Sequence, residues 1–305
     1  MVTSIGVMLP ISDPLGVGTA DVAAAARHLE QIGADTVWAG DHLAFHTPLV
    51  EPTVTLATAA AVTERVRLGF GVLLLALRQP AWAAKQISSL QAVSGGRVVL
   101  GVGVGGENPE EWEAAGIPLR ERAGRTDAIL SVLPQMLSGT AVTVPAPYDL
   151  PVPALGPTAG VPPLWIGGRS DEALRRAVRF ADGWLGMWAD ERRVLRAREQ
   201  LQTVAAQEGR AVPRTGLHVF VHVEEGESGR AEAAAFVTGQ YQLPFEKVER
   251  YVALGSVGQV TEQLAGLLTS GVDELLLHPA AGDHRVQYDR LGSVLSGLRE
   301  VVTTR

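Results

Sequence analysis

Asp41 and His42 stand side by side just after a short apolar run, Thr36–Gly40, and that pairing of a carboxylate with an imidazole is capable of acid–base chemistry. Histidine is the side chain whose proton equilibrium lies nearest neutral pH, so His42 can give or take a proton while Asp41 orients or charges the ring. The plainer reading makes Asp41 a turn cap and His42 an ordinary half-buried ring. His46 follows four residues on, but a two-histidine metal site wants a nearby third ligand, and no metal site is expected. A second constellation is Gly167-Gly168-Arg169-Ser170, followed by Asp171-Glu172 at a helix start. Bare backbone N–H groups at a helix start cradle phosphate, and Arg169 adds charge. Alternatively, Asp171 and Glu172 simply complement the helix dipole. His218, Phe220 and His222 alternate along one apolar run and so face one way, and His278 ends another. These histidines read as hydrogen-bonded wall residues. The run Gly101 to Gly106 superficially matches a dinucleotide fingerprint, yet Glu107-Asn108-Pro109 follows instead of a helix, so a Rossmann reading is poor. The missing side chains there, and in Gly69-Phe70-Gly71-Val72, instead leave room for a flat ring system.

Eight apolar segments must position these groups: Ile5–Leu9, Thr36–Gly40, Arg67–Leu75, Arg97–Val104, Pro163–Gly167, Gly183–Gly186, Leu217–Val223 and Glu274–His278. Most are followed by a helical pattern, and runs such as Val98-Val99-Leu100 show no alternation, as strands covered on both faces should. The fold class expected is α/β, a (β/α)8 TIM barrel with insertions, in one domain spanning 1–305, with chemistry at the carboxyl ends of the strands. Thr19 and Asp21 open a first helix that Gly33 closes; Pro52 to Val62 is a second; Pro80 starts a third, with Trp82, Ile87 and Leu90 on its buried side. Two excursions interrupt the pattern. The stretch 140–162 is rich in proline and reads as extended chain over the barrel; 224–256 contains an Ala-rich helix and the aromatic stretch Tyr241 to Phe245.

Composition narrows the function classes. The 305 residues are 46% hydrophobic, ample for a barrel core. Absence of cysteine excludes disulfides, thiolate nucleophiles and zinc–cysteine sites and suits a reducing cytoplasm. Of 26 basic residues only Lys85 and Lys247 are lysines, which leaves few Schiff-base candidates. A net charge of −7 without a basic stripe argues against nucleic acid, and no apolar run is long enough to span a membrane. Small-molecule chemistry in the cytoplasm is the expectation.

Taken together, Ala34 to His42, Arg67 to Leu75 through Arg78-Gln79-Pro80, Ser94 to Arg97 through Gly101 to Gly105, and Leu164 to Gly168 resemble the luciferase-like monooxygenase superfamily, barrels that use flavin or deazaflavin. The resemblance implies a non-proline cis peptide at Gly71–Val72 against the central ring of the cofactor, with Gly103 and Gly105 beside it. It implies a phosphate cradle at Gly167, Gly168, Arg169 and Ser170. An Asp-His pair after the second strand resembles the deazaflavin branch, which uses coenzyme F420; His42 is then proton donor or acceptor, and Asp41 contacts the ring or fixes the imidazole. Val104 stands about where FMN-using members carry an arginine, which again points to F420. Sugar-phosphate dehydrogenases of that branch have Glu where Gly106 falls, Glu107 being one residue off, and use lysines absent here, so a sugar phosphate is not expected as substrate. The reading is thus an F420-dependent oxidoreductase acting on a small, mainly apolar molecule, with Leu9, Pro10, Trp38, Trp184, Trp188 and His278 as pocket walls. The alternatives are an FMNH2-dependent monooxygenase and a non-catalytic flavin-storage barrel. The resemblance also implies a homodimer through helix faces carrying Leu56, Ala59, Ala60, Trp82 and Ile87.

Overall fold

In the computed structural model, which describes residues 3–18 and 21–303, eight parallel strands close on themselves. They are β1 (Ser4–Met8), β2 (Thr36–Ala39), β3 (Arg67–Leu73), β4 (Val98–Val102), β5 (Leu164–Gly167), β6 (Gly183–Met187), β7 (Arg214–Val223) and β8 (Glu274–Pro279). Each pairs with its successor, and β8 pairs with β1 through Ser4 opposite Glu274, so the eight close into a barrel; a short ninth strand, Ala253–Gly255, adds in parallel to the end of β7 at Val221–Val223. The eight segments expected from sequence are these strands.

The helices follow from local signals. In α1 (Val22–Gln31) the Asp21 side chain accepts from Ala24 N–H, and Gly33 takes φ +89° just past the end, where a side chain is disfavoured. Thr19 lies outside the described residues. Pro52 and Pro80 occupy the first turns of α2 (Pro52–Val62) and α3 (Pro80–Val93), where an N–H has no partner to lose. Trp82 departs from expectation: Ile87 and Leu90 are buried, but Trp82 is 66% exposed. On α3, residue 82 lies about 140° from residue 87 around the axis, so the two cannot share the core face.

The barrel interior is filled by aromatic rings seated against glycines. A Cβ at Gly6 or Gly69 would come within 2.2 Å of the Trp38 ring, and one at Gly183 within 2.3 Å of Trp165. Gly69 therefore makes space for Trp38 rather than for a ligand, and Trp38, fully buried, is core rather than pocket wall. At the amino end of the strands the buried Glu274 carboxylate accepts from Ser4 Oγ at 2.9 Å and from Arg67 at 2.9 and 3.1 Å. That network seals the face opposite the strand carboxyl ends.

The stretch 140–162 is not simply extended. Val142–Val144 and Leu150–Val152 pair as an antiparallel hairpin whose Val144 and Val152 are buried. Pro151 is tolerated because a two-stranded ribbon leaves one side of each strand unpaired. The hairpin precedes β5 and so belongs to the amino-terminal side of the barrel. The stretch 224–256 follows β7 instead and lies at the carboxyl side. Its helix Glu227–Tyr241 and the turns after it build a smaller core in which Phe236, Val237 and Phe245 pack with Trp188 and Phe220.

Candidate active site

A cavity of about 640 Å³ opens at the carboxyl ends of the strands. His42 lines it, four residues beyond Thr36–Ala39's third position, on the loop after β2. Its Nδ1 lies 3.1 and 3.2 Å from the two carboxylate oxygens of Glu111, which is wholly buried on the short helix α4 (Pro109–Ala114) and also accepts from Leu43 N–H at 3.1 Å. A carboxylate only accepts, so the ring presents an N–H at Nδ1 and leaves Nε2 for proton exchange. Phe45 stacks on the imidazole at 3.9 Å and 14°.

Asp41 does not fix that ring. Its carboxylate accepts from Arg78, at 3.1 Å for one of the two contacts, and from Leu74 N–H at 2.8 Å. Burial pushes the Asp41 carboxyl up, and the Arg78 guanidinium and Leu74 N–H offset part of that. Burial works against the charge on Arg78, but Asp41 and Glu51 more than compensate and hold it cationic. The pair thus ties the loop after β2 to the loop after β3, with Asp41 still lining the cavity.

The Gly71–Val72 peptide is cis, and the register between β3 and β4 slips between Phe70 and Leu73. Gly71, Val72, Gly103 and Gly105 all line the cavity. A Cβ on Gly103 would meet a Val72 methyl at 2.4 Å and one on Gly167 would meet the other at 2.8 Å, so these glycines first admit Val72. Gly167, Gly168, Arg169 and Ser170 form another stretch of wall. Ser170 caps the helix Asp171–Phe180 by accepting from Ala173 N–H, and Trp184 Nε1 donates to Gly168 O at 2.8 Å, which pins the loop. Two arginines that sequence reasoning missed join Arg169 here. Arg176 on the helix Asp171–Phe180 pairs with Asp127, and Arg122 at the start of α5 (Arg122–Leu130) donates to Gly105 O at 3.2 Å and Leu119 O at 3.0 Å. Their spacing from the loop carries no signal except that Arg176 sits on the first turns of the helix the loop opens.

Of the expected walls, His278 lines the cavity, beside His218. Leu9, Trp184 and Trp188 are buried behind it, while Met8, Leu185 and Met187 form the surface. Each miss is a single residue: Trp184 and Leu185 are consecutive on β6 and point to opposite faces, while Leu9 and Trp188 lie one residue past the ends of β1 and β6. Gln240 and Tyr241 come from the excursion 224–256, and burial pushes the Tyr241 hydroxyl well above its usual range. His222 is buried away from the cavity and bonds Ala280 O at 3.0 Å. His46 packs against Phe45, and among the described residues no three His, Cys, Asp or Glu side chains are grouped to hold a metal.

A model of one family, described as luciferase-like monooxygenase, matches residues 4–267 of the chain. An F420-dependent glucose-6-phosphate dehydrogenase of Beutenbergia cavernae is 34% identical over 187 residues, 54% of this chain and 52% of that protein. The chain spans 58% of the length of the first curated relatives it matches, uncharacterised mycobacterial proteins. Among solved structures, an F420-dependent secondary alcohol dehydrogenase in complex with an F420-acetone adduct superposes with a TM-score of 0.80 at 18% identity, covering 98% of this chain and 99% of that one. The oxygenating constituent of 3,6-diketocamphane monooxygenase from Pseudomonas putida, in complex with FMN, gives 0.78 at 16% identity over 98% of each chain. These likenesses show the fold.

Proposed function

Because the chain belongs to the luciferase-like monooxygenase family, we propose that it is an oxidoreductase working with reduced coenzyme F420, moving a hydride to or from a small, mainly apolar molecule while His42 handles the proton. The observation that carries this reading is the imidazole held at Nδ1 by a buried carboxylate beside a cavity. The residues present fit a flat ring ending in a phosphate. The backbone of Gly71, Val72, Gly103 and Gly105 offers a wall without protruding polar side chains, and Gly167 to Ser170 with Arg169 and Arg176 offers N–H donors and positive charge at one end.

When bound, reduced F420 supplies the hydride. His42 holds a proton at Nε2 and delivers it to the substrate atom next to the carbon being reduced; in the reverse direction Nε2 takes that proton. Glu111 keeps the ring in one tautomer and orientation, as a buried carboxylate does for a catalytic imidazole. Phe45, stacked on the imidazole, and Tyr241, edge-on to Phe45, form the apolar wall beside this group. FMN is the second reading, since the same arginines suit its phosphate and a neighbour of the same fold carries it.

The test is single-turnover oxidation of F420H2 with the accepting substrate in wild type and His42→Ala. Loss of a general acid costs on the order of 10²–10⁴-fold in rate, with F420 affinity retained. An unchanged rate in His42→Ala refutes the assignment.

A further inference from the structure

His218 on β7 and His278 on β8 both face the cavity, and the proton transfer proposed above uses neither. His218 Nε2 and His278 Nδ1 are 3.1 Å apart, the one hydrogen bond of either ring among the described residues. Aromatic side chains surround the pair: Phe220 stacks on His278 at 4.4 Å and 26°, and Phe236 meets it edge-on at 5.6 Å. Burial pushes His218 down to about 3; burial, then the neighbouring His218 and His284, push His278 well down also. Both rings are therefore neutral at physiological pH.

Two neutral imidazoles carry two ring hydrogens, and their mutual bond uses one. Of the two outer nitrogens, one then bears an N–H and the other a bare lone pair. If His278 Nδ1 donates, its Nε2 accepts; if His218 Nε2 donates, His278 Nε2 carries the hydrogen. Exchange between the tautomers swaps the roles. Such a pair accepts from a hydroxyl and donates to a carbonyl, the two oxygen groups that a hydride transfer interconverts. A carboxylate or phosphate seated there meets no positive charge to offset its desolvation. The arginines of the cavity lie by contrast around the loops after β4 and β5.

We propose that the His218–His278 pair is the substrate anchor of this cavity, binding one uncharged oxygen group, hydroxyl or carbonyl, and rejecting anionic groups at that place. The proposal rests on reading the cavity as the pocket of an oxidoreductase, but not on which cofactor fills it.

The test is imidazole ¹⁵N NMR of the labelled wild-type protein at neutral pH, titrated with cyclohexanol, cyclohexanone and cyclohexanecarboxylate. His278→Gln, which keeps a neutral donor and acceptor, and His278→Phe assign the signals. The alcohol and ketone are expected to shift the nitrogens of both rings, with apparent affinities at least about tenfold above the carboxylate's, as 1.4 kcal/mol gives. That preference survives in His278→Gln and is lost in His278→Phe. Equal or stronger response to the carboxylate, or no response of these two rings to any probe, overturns the proposal on wild-type spectra alone. F420 fluorescence measured on the same sample separates the two ideas: a protein that ignores F420 yet binds cyclohexanone at the pair keeps this proposal and loses the cofactor assignment.

Discussion

At Nδ1 of His42 the buried carboxylate of Glu111 decides which ring nitrogen is free. Hydrogen bonds to a charged partner are worth roughly 1.5–3 kcal/mol against about 0.5–1.5 for neutral ones. Glu111→Gln keeps size and an acceptor oxygen but removes the charge, so hydride transfer should slow about tenfold, with F420 affinity unchanged in the same stopped-flow measurement. A variant as fast as wild type would mean that Glu111 only holds the loop. The sequence points to Asp41 as His42's partner because the two are adjacent, but adjacent side chains diverge, and Asp41 turns to Arg78 instead. Glu111 lies 69 residues away on a helix of six residues, and no local pattern joins it to His42.

At the level of strands and helices, what is legible is periodicity and what is hidden is facing. Every barrel strand reads from its apolar run, yet Leu9, Trp184 and Trp188 each sit one position from the residue that lines the cavity. Uninterrupted apolar strands lack the alternation that would fix which side chain points where. The same ambiguity affects the helices proposed to dimerise. Leu56, Ala59 and Ile87 are fully buried in the chain's own core and cannot meet a second copy, whereas Val54 on α2 and Trp82 on α3 are 61% and 66% exposed. We therefore propose that the homodimer forms through Val54 and Trp82. Sedimentation equilibrium should show a dimer for the wild type and a shift to monomer in Trp82→Arg; a wild type that stays monomeric at high concentration contradicts it.

For the molecule as a whole, closure of eight strands gathers loops from the entire chain at one rim and makes a cavity with unlike ends. Arginines 122, 169 and 176 cluster after β4 and β5, while neutral histidines 218 and 278 sit on β7 and β8, with His42 on the loop after β2. The insertion at 140–162 contributes no wall, because it enters from the opposite side of the barrel; the insertion at 224–256 contributes Gln240 and Tyr241. Proline content alone cannot tell these two loops apart, since only their place before or after a strand decides which face they reach. We propose that this cavity is shaped for the deazaflavin and its anionic tail end. Parallel titration of the protein with F420 and FMN, followed by fluorescence in one buffer, tests it most directly. Saturable binding of F420 with a clearly weaker response to FMN is the predicted result; tight binding of FMN with no change in F420 fluorescence would contradict the account.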